Sequence, residues 1–219
     1  MDARPELLTH NRIKLALHTL RGGAGRPLLS LHGLGERSPS AVPAELSSWP
    51  GPVYALDFTG HGDSTVPRGG GYTCEMLMAD ADVALARLGP CTVLGRGLGA
   101  YVAVLLAGGR PQLVRGVILR DGPGLAGGGS GSISPTIPFV DVTQPSPPDP
   151  YALVELATDI RPPDYACVFA RQAAQMSGLS SPIAVCASER PGWLVAVIEE
   201  LDVEVTTLPQ ALARYAAAP

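Results

Sequence analysis

The stretch from residue 91 to residue 107 constrains this chain more than any other. A buried apolar run (CTVLG) passes through Gly95-Arg96-Gly97-Leu98-Gly99 straight into a largely apolar helical run (LGAYVAVLLA). A strand that turns so abruptly into a helix needs small residues where the two backbones pass closely, and Gly95 and Gly99 meet that need. Around this unit, apolar runs bounded by turn residues alternate with longer helical patterns. Strands are expected over residues 12–20, 27–31, 53–58, 91–95, 114–119, 183–187 and 203–207. Helices are expected over 72–88, where Leu77, Ala81, Ala84, Leu85 and Leu88 share one face, over 98–107, and over 192–201. Strands alternating with helices in this way predict an α/β fold with a mostly parallel sheet flanked by helices.

The length suits one domain, 1–219, and a hydrophobic fraction of 46% suffices for a sizeable core. No apolar run approaches the roughly eighteen residues that cross a bilayer, so no membrane partner is expected. Met1-Asp2-Ala3-Arg4-Pro5-Glu6 carries mixed charge with no long apolar stretch behind it, which leads to the expectation of a cytoplasmic protein. A net charge of −4 argues against a nucleic-acid partner, which would need clustered basic residues. Cys74, Cys91, Cys167 and Cys186 are widely spaced with no CxxC pair, and read as small buried hydrophobes rather than metal or disulfide residues. No metal, flavin or nicotinamide motif is apparent, so no cofactor is expected. The rhythm breaks at 122–150, a stretch dominated by Gly, Ser and Pro. With short helical pieces near 151–158 and 164–176, residues 122–180 are expected as a small covering region at one end of the sheet.

Three landmarks, each at a strand end and in the right order, resemble the α/β-hydrolase family across nearly the whole chain. His32-Gly33-Leu34-Gly35 follows the strand at 27–31, where that family places one amide of its oxyanion hole. Asp57-Phe58-Thr59-Gly60-His61-Gly62-Asp63-Ser64 looks like the family's turn after the next strand. Gly95 to Gly99 falls where the family's G-x-S-x-G forms the nucleophile elbow. The resemblance implies a single α/β-hydrolase domain, with the amides of Leu34 and Leu98 as the remnant of the hole.

It also exposes gaps. Where the family has its serine stands Gly97, which has nothing to deprotonate and cannot form an acyl-enzyme. The family's acid lies just beyond the penultimate strand, where Ser188-Glu189-Arg190-Pro191 puts Pro191 at its position. Glu189 stands two residues early, and Asp121, at the end of the preceding strand, occupies the other site used for the acid. The family's histidine follows the last strand; within Leu208-Pro209-Gln210-Ala211-Leu212-Ala213 its place falls to Ala213. All four histidines (His10, His18, His32, His61) lie in the first third of the chain, so no late one exists to take that role. Gly97, Pro191 and Ala213 are therefore expected as vacant triad positions.

The remaining polar groups each carry two readings. His32 either acts as a lone base, with Asp121, or only shapes the turn that carries Gly33 and Leu34. Arg96 either receives a carboxylate or phosphate near a helix N-terminus, or pairs with Asp121 or Asp57 as a structural tie. His61 and Asp63 sit in a turn that is usually structural, and Trp49 and Trp193 read as packing residues. The leading expectation is a non-catalytic protein that uses a residual pocket (His32, Gly33, Leu34, Arg96, Gly97, Leu98, Asp121) or its surface to bind a small molecule or a protein. The alternative is an enzyme of this fold with an acid–base mechanism that needs no serine, or with weak hydrolase activity left by the oxyanion hole. A scaffold that uses only its surface is the third, and a filled pocket would mark it.

Overall fold

The computed structural model describes residues 4–128, 147–203 and 205–217. Among these residues seven strands form one sheet: β1 (Glu6–His10), β2 (Ile13–Arg21), β3 (Leu28–Leu31), β4 (Val53–Leu56), β5 (Cys91–Arg96), β6 (Val114–Arg120) and β7 (Ile183–Val185), in the spatial order β1-β2-β4-β3-β5-β6-β7. The β1–β2 and β2–β4 pairs are antiparallel and every other pair is parallel. Side chains alternate between the faces, as the period of a strand requires. Leu29, Leu31, Val93, Val117, Leu119, Ile183 and Val185 enter one core, and Leu28, Val53, Leu94, Ile118 and Ala184 enter the other.

The two faces are covered unequally. The first carries α1 (Cys74–Leu88), α2 (Leu98–Gly109), α4 (Pro163–Met176) and α5 (Gly192–Leu201). The second is closed by α6 (Leu208–Ala217), Trp49 and a single 3-10 turn, Ala44–Leu46. Helix α2 packs on β5 and β6 beneath it and on α1 and α4 beside it. That placement explains why residues 98–108 are all buried and why the helix lacks a polar face.

The strand ends line up. Leu31 pairs with Leu56 and Gly95, Gly95 with Leu119, and Leu119 with Val185. The turns that begin at His32, Asp57, Arg96, Asp121 and Cys186 therefore emerge together at the carboxyl edge of the sheet, where open α/β sheets hold their ligands. Helix α3 (Pro150–Thr158) lies on these turns. Its Glu155 accepts from the amides of Gly71 and Tyr72, each at 2.7 Å, and Tyr72 Oη donates to Asp149 at 2.6 Å.

Several expected elements differ in detail. Of the strand expected over 203–207, the described residues show one parallel bridge, between Val185 and Val205. Strand β1 and helix α6 were not expected: β1 is an edge strand without an apolar run, and the buried face of α6 rests on only Ala211, Leu212 and Tyr215. The expected covering region divides in two. Helix α3 covers strand-end turns, whereas α4 joins the layer beside α2 and packs on α5. Much of the Gly/Ser/Pro stretch, 129–146, lies outside the described residues.

Candidate functional site: an elbow filled from within

Gly97 opens α2 with φ 58° and ψ −121°, a backbone conformation that residues with a side chain adopt only under strain. Its N–H donates to Arg120 O at 3.0 Å, and its carbonyl accepts from Ala100 N at 3.0 Å. Close approach requires glycine beside it too, since a Cβ on residue 95 would stand 2.3 Å from the Gly99 carbonyl oxygen. The elbow geometry is present in full.

The space in front of it is taken. A Cβ on residue 97 would stand 2.1 Å from the Pro123 carbonyl oxygen and 2.6 Å from the Gly122 carbonyl carbon. That Pro123 oxygen accepts from two amides at once, Leu34 N and Leu98 N, each at 2.9 Å. These are the two N–H groups expected to form the oxyanion hole. They do converge on one oxygen, and the oxygen belongs to the chain itself.

The segment that delivers it is anchored on several sides. Leu125 N donates to Gly122 O at 3.3 Å, closing the turn, and the Trp193 indole N–H donates to Leu125 O at 2.8 Å. Arg161, only 4% exposed, donates to the carbonyls of Gly124, Leu125 and Leu156. Its guanidinium also sits 5.2 Å from the centre of the Tyr101 ring, a cation–π contact in a desolvated setting. None of Pro123, Arg161 or the Trp193 N–H was singled out in the sequence for this role. The only signal was a proline between two glycines directly after a strand, Gly122-Pro123-Gly124.

The expected polar groups are brought near the strand ends but used up there. His32 is buried, and its Nε2 accepts from Phe58 N at 3.1 Å, so the ring proton sits on Nδ1 and is donated to Gly33 O at 2.8 Å. Burial, reinforced by the neighbouring His61, lowers its pKa to about 4. His61 is held in the same way, donating from Nδ1 to Thr59 O at 3.1 Å and accepting from Gly35 N at 3.2 Å, and burial lowers its pKa also. Both rings stay neutral at pH 7 and neither has a nitrogen left for substrate.

Asp121 does not face His32. Its carboxylate accepts from Ser188 N at 2.7 Å and Glu189 N at 2.9 Å, tying the end of β6 to the turn after β7. Burial opposes its ionisation, but those amides outweigh it and hold the carboxyl below the usual range. Arg96 pairs with neither Asp121 nor Asp57. Its guanidinium donates to Glu36, whose other oxygen accepts from Gly33 N at 2.9 Å, so the pair fastens the elbow to the first turn. The position expected for the acid, Pro191, is the residue that leads into α5. Ala213 does not stand at a strand end at all: it lies on the exposed side of α6, more than a turn beyond Leu208. The turn that does follow the last bridge carries Thr206 and Thr207.

No protein-family model matches the chain, and no curated protein matches it either. Solved structures do. A thioesterase domain from the curacin biosynthetic pathway superposes with a TM-score of 0.69 at 16% identity, over 99% of this chain and 98% of that one. A hypothetical protein from Pseudomonas aeruginosa PAO1 gives 0.65 at 19% identity, over 98% and 99%. A structure from work on carboxylesterases of the thaumarchaeon Nitrososphaera gargenis gives 0.61 at 14% identity, over 95% and 93%. At these identities the likeness speaks for architecture alone. Together with the strand order and the elbow, it establishes that this chain has the α/β-hydrolase fold.

Proposed function

We propose that the chain is a non-catalytic protein of the α/β-hydrolase fold, in which the former reaction centre has become an internal clasp and binding takes place on the outer surface. The observation that carries this reading is the Pro123 carbonyl oxygen, 2.9 Å from both Leu34 N and Leu98 N, in the space where a substrate carbonyl would have to sit. A missing serine alone would leave a hole able to polarise an ester; a filled hole removes that remnant too. The acid–base alternative has less to stand on, because His32, Arg96 and Asp121 are each committed to neighbouring backbone or to Glu36.

Among the described residues no helix is long and apolar enough to cross a membrane. All four cysteines are free, which suits a reducing compartment and supports a cytoplasmic location.

The test is a survey of the purified protein against short activated acyl esters and acyl thioesters, with a fluorophosphonate probe for any activated hydroxyl. No turnover above buffer and no labelling are expected. Turnover of about 1 s⁻¹ or faster, ordinary for enzymes, would overturn the proposal.

A further inference from the structure

Away from the elbow, β2, residues 4–5, the segment 37–40 and the turn after β4 line an open cleft of about 630 Å³. Arg4, His18, Arg37, Ser38, Ser40 and Asp63 are among the residues that line it. Beneath them lies Asp57, whose side chain is wholly buried. His18 donates from Nε2 to Asp57 Oδ2 at 2.9 Å, because a carboxylate oxygen can only accept. Backbone amides complete the set, Asp63 N to Oδ2 at 2.9 Å and Ser38 N to Oδ1 at 2.6 Å. Ligand atoms of His18, Asp57 and Asp63, one from each, all lie within 4.8 Å of one another.

We propose that His18 Nε2, Asp57 Oδ2 and the Asp63 carboxylate form a binding site for a first-row divalent transition ion such as Zn²⁺ or Ni²⁺. The separation of 2.9 Å between His18 Nε2 and Asp57 Oδ2 suits two neighbouring ligands of one ion. With bonds of about 2.1 Å to each, the angle at the ion comes to about 90°. One imidazole with two carboxylates favours such an ion over Mg²⁺ or Ca²⁺, which prefer an all-oxygen shell.

A second observation points the same way. Ser38, 6% exposed, borders the cleft, and its buried Oγ, beside the Asp57 carboxylate, has no hydrogen-bond partner. Buried hydroxyls are rarely left so, and a water carried by the ion would satisfy it. The proton balance is simple. The ion takes the Nε2 lone pair, and the imidazole proton that sat there moves to Nδ1. The His18–Asp57 hydrogen bond and the Arg37–Asp63 pair, 3.6 Å apart with Arg37 largely exposed, must both yield, and exposed pairs of the second kind are weak.

The test uses the untagged full chain, titrated calorimetrically with ZnCl₂ and NiCl₂, with CoCl₂ added for the visible absorption of coordinated Co²⁺. One ion per chain is expected. Asp63→Ala and His18→Ala are each expected to weaken binding by about tenfold or more, as the loss of a ligand should at least match that of an outer-shell partner. Asp63→Ala keeps the backbone amide that holds Asp57, so it decides the matter even if His18→Ala fails to fold. His10→Ala removes the imidazole beside Asp80 and should change nothing. No binding at millimolar ion, binding indifferent to Asp63→Ala, or binding lost in His10→Ala would each overturn the proposal.

Discussion

At position 97 a side chain meets two independent obstacles: a φ of 58° and a carbonyl oxygen 2.1 Å from where its first carbon would lie. Gly97→Ala and Gly97→Ser should therefore destabilise the fold alike, each by about 1–3 kcal/mol in urea unfolding. If serine costs far less than alanine, the hydroxyl has found a partner and the segment at Pro123 has moved aside. Introducing Gly97→Ser, Pro191→Asp and Ala213→His together is expected to give no esterase activity. The histidine would stand on the exposed side of α6, and the hole would still hold Pro123. Gain of burst kinetics with an activated ester would contradict this.

At the scale of elements, the segment after β6 behaves as a latch between three others: the turn after β3, the start of α2, and α5 through Trp193. The Leu34 and Leu98 amides should exchange slowly with deuterated solvent, because their acceptor is internal and anchored. Arg161→Met should speed both, since it removes the donors to Gly124 and Leu125 while the flat contact with Tyr101 is kept in part. Trp193→Phe should cost about 1 kcal/mol for the lost indole hydrogen bond, measured by denaturant unfolding. The elbow was legible in the sequence because two spaced glycines between an apolar strand and an apolar helix admit few geometries. The latch was not. Gly122-Pro123-Gly124 reads as a turn, and nothing local says whose amides will receive its carbonyl. Arg161 acts from dozens of residues away. Helix α6 escaped for a related reason: its alanines carry little periodic contrast, and only Tyr215 and Leu212 mark its inner face.

For the molecule as a whole, two buried groups tilt stability with pH in opposite directions. Burial raises the pKa of Asp80 to about 6, partly offset by the Thr59 amide and by His10. The unfolded chain releases that proton near pH 4, the native one later, so stability is lost as pH rises from about 4 to about 6. His32, lowered to about 4, acts the other way: the unfolded chain takes up a proton below about pH 6.5 that the native ring refuses, so stability falls from there toward pH 4. Asp80→Asn isolates the first effect. It should stabilise the protein at pH 7 by up to about 3 kcal/mol, two pKa units' worth, and the advantage should vanish below pH 4. An advantage that persists in acid would assign it to packing instead. The layered plan of the sheet was readable from the alternation of runs, while the thin covering of its second face by α6 and Trp49 was not. The Pro123 carbonyl finally bears on what kind of small molecule this protein can meet. Any ester, amide or aldehyde that approaches the two amides competes with a rival joined to them by the backbone, which is never diluted and never diffuses away. Screening libraries of carbonyl-mimicking inhibitors should return nothing at this centre.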